Sequence, residues 1–72
     1  MIGKIIAYMR KSSGMKQGEL AEQVGIALST LSGYETGNSQ PNFDMVNKIA
    51  EACEFQIIFK DKNSNEEIEY DE

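Results

Sequence analysis

Residues 17–37, QGELAEQVGIALSTLSGYETG, hold the side chains whose types and spacing could do chemistry, and that chemistry is recognition. Catalysis has few candidates. The chain has no histidine, Cys53 is its one cysteine, and its glycines occur singly, so no phosphate-cradling loop is present. Its carboxylates form no metal-ligand constellation, and no enzymatic activity, cofactor or metal is expected. What the stretch does specify is two short helices meeting at a glycine. Leu20, Ala21 and Val24 share one face of the first, and Leu28, Leu31 and Tyr34 recur at helical spacing along one face of the second. Gly25 can turn the chain with positive φ. Ala21 is small where a second helix must cross, and Ile26 can drop between the two. These are the requirements of a helix-turn-helix, whose second helix can lie in the DNA major groove.

The segment resembles the Cro/repressor-type (XRE-like) helix-turn-helix family. The matching residues are Gln17, Leu20, Ala21, Gly25, Ile26, Ser29, Thr30, Glu35 and Gly37, followed by Pro41. Arg10 falls where that family has an arginine paired with the Glu35 position. The match runs over roughly residues 2 to 54. It implies a mainly α, lambda-repressor-like helix-turn-helix domain of four to five helices. It also implies a partner, double-stranded DNA, and assigns roles. Gln17, at the head of helix 2, would hold a phosphate, with Lys11 and Lys16 adding charge. Thr36, Gly37, Asn38, Ser39 and Gln40 would offer further donors. The base-facing positions would be Ala27, Leu28, Ser29, Ser32 and Gly33. Here the chain departs from the family, whose strong readers are Gln, Asn, Arg or Lys. Ala27 or Leu28 could touch a thymine methyl, and Ser29 and Ser32 could bond several bases, so shape and phosphate contacts should carry much of the specificity. Arg10 and Glu35 would form a structural ion pair, and Tyr34, Met15, Met45 and Cys53 would fill the core.

The elements that position these groups follow from periodicity and caps. Ile2, Ile5, Ile6 and Met9 define helix 1, stopped at Ser12-Ser13-Gly14. Helix 2 spans about 17–24, with Lys16 at its N-cap and Gly18 in its first turn, both weak choices. Helix 3 spans about 28–36, capped by Ala27, and Gly33 inside it should cost about 1 kcal/mol relative to alanine. Asn42 caps helix 4, Asp44 suits its positive end, and Met45, Val46, Ile49, Ala50 and Cys53 line its inner face. Residues 1–54 thus form the helix-turn-helix domain, and 55–72 a C-terminal strand and acidic tail. Phe55 to Lys60 reads as a strand. Glu66 to Tyr70 reads either as a returning strand, giving a hairpin, or as a disordered tail. A lone strand leaves open edges, which the same strand of a second subunit would close. In arrangement this resembles HipB-type antitoxins and makes Phe55, Ile57, Ile58 and Phe59 candidate dimerisation residues.

Composition fits a small domain. Seventy-two residues support a modest core, which a dimer would enlarge. The lone thiol, the lack of a basic-then-apolar leader and the lack of a long apolar run point to a cytoplasmic protein with no membrane partner. The net charge of −5 belongs to the tail, because residues 1–60 balance six basic groups against six acids. The first eighteen residues hold four basic groups and no acid. The expected function is a homodimeric, sequence-specific transcription regulator, a repressor in its simplest form. The alternative is an antitoxin-like interaction module whose acidic tail and strand bind a toxin or other basic protein partner.

Overall fold

The computed structural model describes residues 1–70; Asp71 and Glu72, two acids of the expected tail, lie outside the described residues. Four helices, α1 (Ile2–Ser12), α2 (Gln17–Val24), α3 (Leu28–Thr36) and α4 (Phe43–Ala52), precede a two-stranded antiparallel hairpin of β1 (Ile58–Lys60) and β2 (Glu67–Glu69). The mainly helical class with a C-terminal hairpin is as the sequence implied, with four helices among the described residues. Ile6, Met9, Leu20, Ala21, Leu31, Ile49, Ala50 and Cys53 make the core, and Met15, Ile26, Tyr34 and Met45 pack against it. Asn47 is the buried polar residue, and its Nδ2 has no hydrogen-bond partner among the described residues. Such a donor opposes folding by about 1–3 kcal/mol.

Local chemistry accounts for the helix ends. Gly25 adopts φ +77°, which lets the Ile26 N–H donate to the Ala21 carbonyl at 3.0 Å and swings Ile26 back onto the core. Lys16 has no acceptor to cap α2. Instead the Glu19 carboxylate accepts from the Lys16 N–H at 2.8 Å, half of a capping box. Asn42 caps α4 as expected, its Oδ1 accepting from the Met45 N–H at 2.8 Å. At the end of α4 a non-glycine residue, Glu54, takes φ +64°, and the Phe55 N–H closes onto the Ala50 carbonyl at 2.8 Å.

Two expectations about apolar faces are corrected. Ile5 is exposed, and Gly3 takes its place at the helix crossing. A Cβ on Gly3 would fall within contact distance of the Tyr34 carbonyl oxygen and 2.7 Å from that of Glu35, so α1 and α3 touch backbone to backbone. Leu28 does not share the inward face of Leu31 and Tyr34 but stands 53 % exposed at the head of α3.

The C-terminal segment also differs from the reading. The strand begins at Ile58, three residues late, because Phe55 and Ile57 turn inward against the helical core. Phe55 meets the Tyr8 ring edge-on, with centroids 6.1 Å apart. Nor is the strand alone. Phe59 faces Ile68 across the hairpin, and the Tyr70 N–H donates to the Ile57 carbonyl at 2.8 Å. Phe43, at the start of α4, stacks on Phe59 and contacts Tyr70, whose hydroxyl bonds Asp44. The returning strand is therefore the alternative realised over residues 67–69.

The helix crossing gives a paired test. Gly3→Ala should lower stability by about 1–3 kcal/mol, because the added methyl has no room. Gly18→Ala, whose Cβ would meet nothing within 4 Å, should raise it by about 0.5–1 kcal/mol through helix propensity. Urea melts of the two variants check this, and a tolerated Gly3→Ala would rule out the close approach.

Candidate nucleic-acid interface

The second helix of the motif presents two unlike faces. Leu31 is fully buried, while Ala27, Leu28 and Ser29 are exposed and Ser32 and Gly33 half-exposed. These five base-facing candidates thus lie on the outer side of α3 or at its rim. No side chain caps α3, so its N-terminal end carries no acid and no internal side-chain acceptor. Gly33 is explained by its neighbour. The Ser39 N–H donates to the Gly33 carbonyl at 3.2 Å, and the Ser39 hydroxyl lies 2.9 Å from where a Gly33 Cβ would stand. The loop after α3 therefore folds down over this glycine.

An ion pair ties α3 to the rest. Arg10 Nε donates to Glu35 Oε2 at 2.7 Å and Nη2 to Oε1 at 3.0 Å, a two-pronged contact with side chains 12 % and 7 % exposed. Its third prong, Nη1, donates to the Met15 carbonyl at 3.0 Å. Gln17 Nε2 completes the cluster by donating to Glu35 Oε1 at 3.0 Å. Burial alone would raise the Glu35 carboxyl. The hydrogen bonds from Arg10 and Gln17 and the charges of Arg10 and Lys11 outweigh it and hold the carboxyl below its ordinary range. The hydrogen bond to Glu35 raises Arg10 against its own burial. Burial also pushes the Cys53 thiol up, which fits a packing residue more than a reactive one.

Several residues expected to donate outward are partly committed inward. One amide N–H of Gln17 is held by Glu35, and the other has no hydrogen-bond partner among the described residues. The Thr36 hydroxyl donates back to the carbonyls of Ser32 at 3.0 Å and Gly33 at 3.3 Å. Lys11, Lys16, Asn38 and Gln40 are exposed. The bonds from Gln17 to Glu35 and from Arg10 to Met15 were not read from the sequence, since nothing in residue spacing shows a contact between a helix head and a helix end eighteen residues on. Among the described residues no cluster of three metal-ligating side chains exists, and no helix is long and apolar enough to cross a membrane.

Comparison with known proteins agrees with the helix-turn-helix fold. The family model described as helix-turn-helix matches residues 6–58. The chain is 35 % identical over 52 residues to the cryptic phage CTXphi transcriptional repressor RstR of Vibrio cholerae, covering 72 % of this chain and 46 % of that protein. It is 37 % identical over 54 residues to repressor protein C of Escherichia phage P2, covering 75 % of this chain and 54 % of that protein. It is 36 % identical over 61 residues to antitoxin PezA of Streptococcus pneumoniae, covering 85 % of this chain and 37 % of that protein. The chain thus spans about half or less of the length of these relatives.

The ion pair has a pH signature. Because the folded carboxyl is held down, its contribution is present above the unfolded value of about 4.3 and is lost as pH falls through the folded value. Glu35→Gln leaves Arg10 without its anion and should lower stability at neutral pH by about 3 kcal/mol. In strong acid the gap between wild type and variant should close, as measured by urea melts along a pH series. A gap of constant width would exclude this role.

Proposed function

The chain belongs to the XRE-type helix-turn-helix family, and we propose that it is a sequence-specific regulator of transcription that binds duplex DNA as a homodimer. The observation that carries this is α3. Its inner face is closed by Leu31, while on its outer face Ala27, Leu28 and Ser29 stand exposed and Ser32 half-exposed. In this reading α3 enters the major groove with Ala27, Leu28, Ser29, Ser32 and Gly33 toward the bases. The other amide N–H of Gln17, the ammonium groups of Lys11 and Lys16, and the exposed Asn38 and Gln40 hold phosphates. Thr36 acts mainly through its backbone, since its hydroxyl is used within the helix. Repression by occupying a promoter is the simplest mode, and the relatives named as repressors support it. In this reading the protein works in the cytoplasm, where the bacterial and phage relatives named as repressors would meet their DNA.

The hairpin supplies the dimer surface in this proposal, by its edges. Pairing of Ile57 with Tyr70 and Phe59 with Ile68 turns the backbone groups of Ile58 and Lys60 outward on β1, and those of Glu67 and Glu69 outward on β2. Every two-fold register of β2 sets a glutamate against a glutamate, which is unfavourable. Two-fold registers of β1 centred on Ile58 or Phe59 bring no like charges together. Beside that edge, Ile5, Tyr8 and Phe43 stand exposed around an apolar groove of 660 Å³. Ile58 and Phe59 are exposed as well. They are the better dimer contacts, since Phe55 and Ile57 are largely used within the chain.

A second reading, that the chain also binds a protein partner as an antitoxin does, is favoured by the 36 % identity to antitoxin PezA. The acidic hairpin, with Glu66, Glu67 and Glu69 exposed, is the surface a basic partner would meet.

Selection from a random duplex pool tests the first reading. A palindrome should emerge with half-sites about 34 Å apart. Binding should weaken about a thousand-fold or more between 50 and 200 mM salt if six or more phosphates are neutralised. No enrichment, with weak binding at every salt concentration, would refute DNA recognition. For the dimer, Ile58→Pro removes an N–H that β2 does not use and should give monomers in sedimentation equilibrium while the helical circular dichroism is kept. A folded, dimeric variant would rule out β1 as the seam.

A further inference from the structure

Leu28 is an anomaly on this surface. The other exposed large apolar side chains, among them Ile5, Tyr8, Phe43, Ile58 and Phe59, belong to the N-terminus and α1, the start of α4 or the hairpin, whereas Leu28 stands by itself as the first residue of α3. It is 53 % exposed although its spacing from Leu31 would permit an inward face. Nothing charged or amide-bearing accompanies it on the outer side of α3. Ala27 is shorter, Ser29 and Ser32 carry only hydroxyls, and Gly33 has no side chain.

We infer that Leu28 is the specificity-determining residue of α3, reading the 5-methyl group of a thymine in the major groove. This rests on the DNA-binding reading and deepens it by naming the chemical feature recognised. The N-terminal residues of a recognition helix are those that reach base edges. Among the four bases, thymine alone presents an apolar group there, and the other edges offer donors and acceptors. An isobutyl group pressed on such an edge takes water from a polar atom and returns no hydrogen bond, which is unfavourable. Pressed on a methyl group it buries apolar surface on both sides. The preference is thus for thymine over cytosine and over either purine at one position of each half-site. Ala27 is too short to cover the same methyl from the cap position, and the serines would tolerate several bases.

The test uses the duplex recovered by selection, with each thymine in turn replaced by deoxyuridine, which removes only the methyl. At one thymine per half-site the wild-type protein should lose about four-fold in affinity, the worth of one buried methyl, and about fifteen-fold when both half-sites are changed. Leu28→Ala should bind the unmodified duplex more weakly and lose its sensitivity at that thymine alone. Leu28→Met should keep it. Because the side chain is exposed, both variants should melt like wild type. If the wild type binds the duplex and no thymine methyl matters, or if Leu28→Ala keeps the same sensitivity, the inference falls while DNA recognition stands. If no duplex is bound, both fall together.

Discussion

At Gly3 the backbone of α1 rests on the last turn of α3, and seven residues further along the same helix Arg10 grips the Glu35 carboxylate. A separation of seven residues returns to nearly the same helix face, so both contacts belong to one seam. Glu35 takes part twice, through its carbonyl under Gly3 and its side chain under Arg10. The same carboxylate receives the Gln17 amide at the head of α2, and the same guanidinium holds the Met15 carbonyl between α1 and α2. One ion pair therefore fixes the start of α2, the end of α3 and the turn that leads into them. Buried pairs of this kind add little net stability over an apolar packing, but they admit few alternative arrangements. What they set here is the position of α3, the helix with the least internal support.

That weakness of α3 is itself informative. It has no side-chain cap, a glycine in its interior and one fully buried side chain. Propensity alone would not hold nine such residues helical in water. Packing on α1 and α2, the Gly3 contact and the Ser39 loop folded over Gly33 supply the rest. Freed from supporting itself, the outer face of α3 can be small and plain. If α3 enters the major groove as proposed, a face without lysine, arginine, glutamine or asparagine favours contacts of shape and apolar touch over the forked hydrogen bonds of stronger readers.

How much of this was legible in the sequence depends on whether the signal was local. The α2–α3 turn was readable because Gly25 and Ile26 encode a left-handed cap and a returning apolar residue within two positions. Asn42 announced α4 for the same reason, and the Arg10–Glu35 contact followed from the family pattern. Gly3 was missed. A glycine among isoleucines looks like a flaw in a helix, and only the partner backbone shows that it is a contact. Ile5 and Leu28 were misplaced because a spacing of three or four selects a helix but not which of two adjacent stripes turns inward. The strand began late because Phe55 and Ile57, as good strand formers as Ile58, were taken by the helical core. Sequence alternation cannot tell a sheet face from a hydrophobic anchor.

The acids of the last segment fit this picture when they are placed on the hairpin. Free in a tail they would only add charge, but Glu67 and Glu69 turn their backbone groups outward along the edge of β2. A two-stranded hairpin with two open edges can add copies at both, and such addition has no natural end. Like charges on one edge remove that side for self-pairing. The edge left open carries Ile58 and Lys60, and a two-fold pairing there uses it up in both copies at once. In the proposed dimer the assembly then closes at two. In that proposal Glu67 and Glu69, two of the acids that make the whole chain acidic, act as a stop on one side of the sheet, while residues 1–60, with six basic groups against six acids, keep a balance of charge compatible with a polyanionic partner.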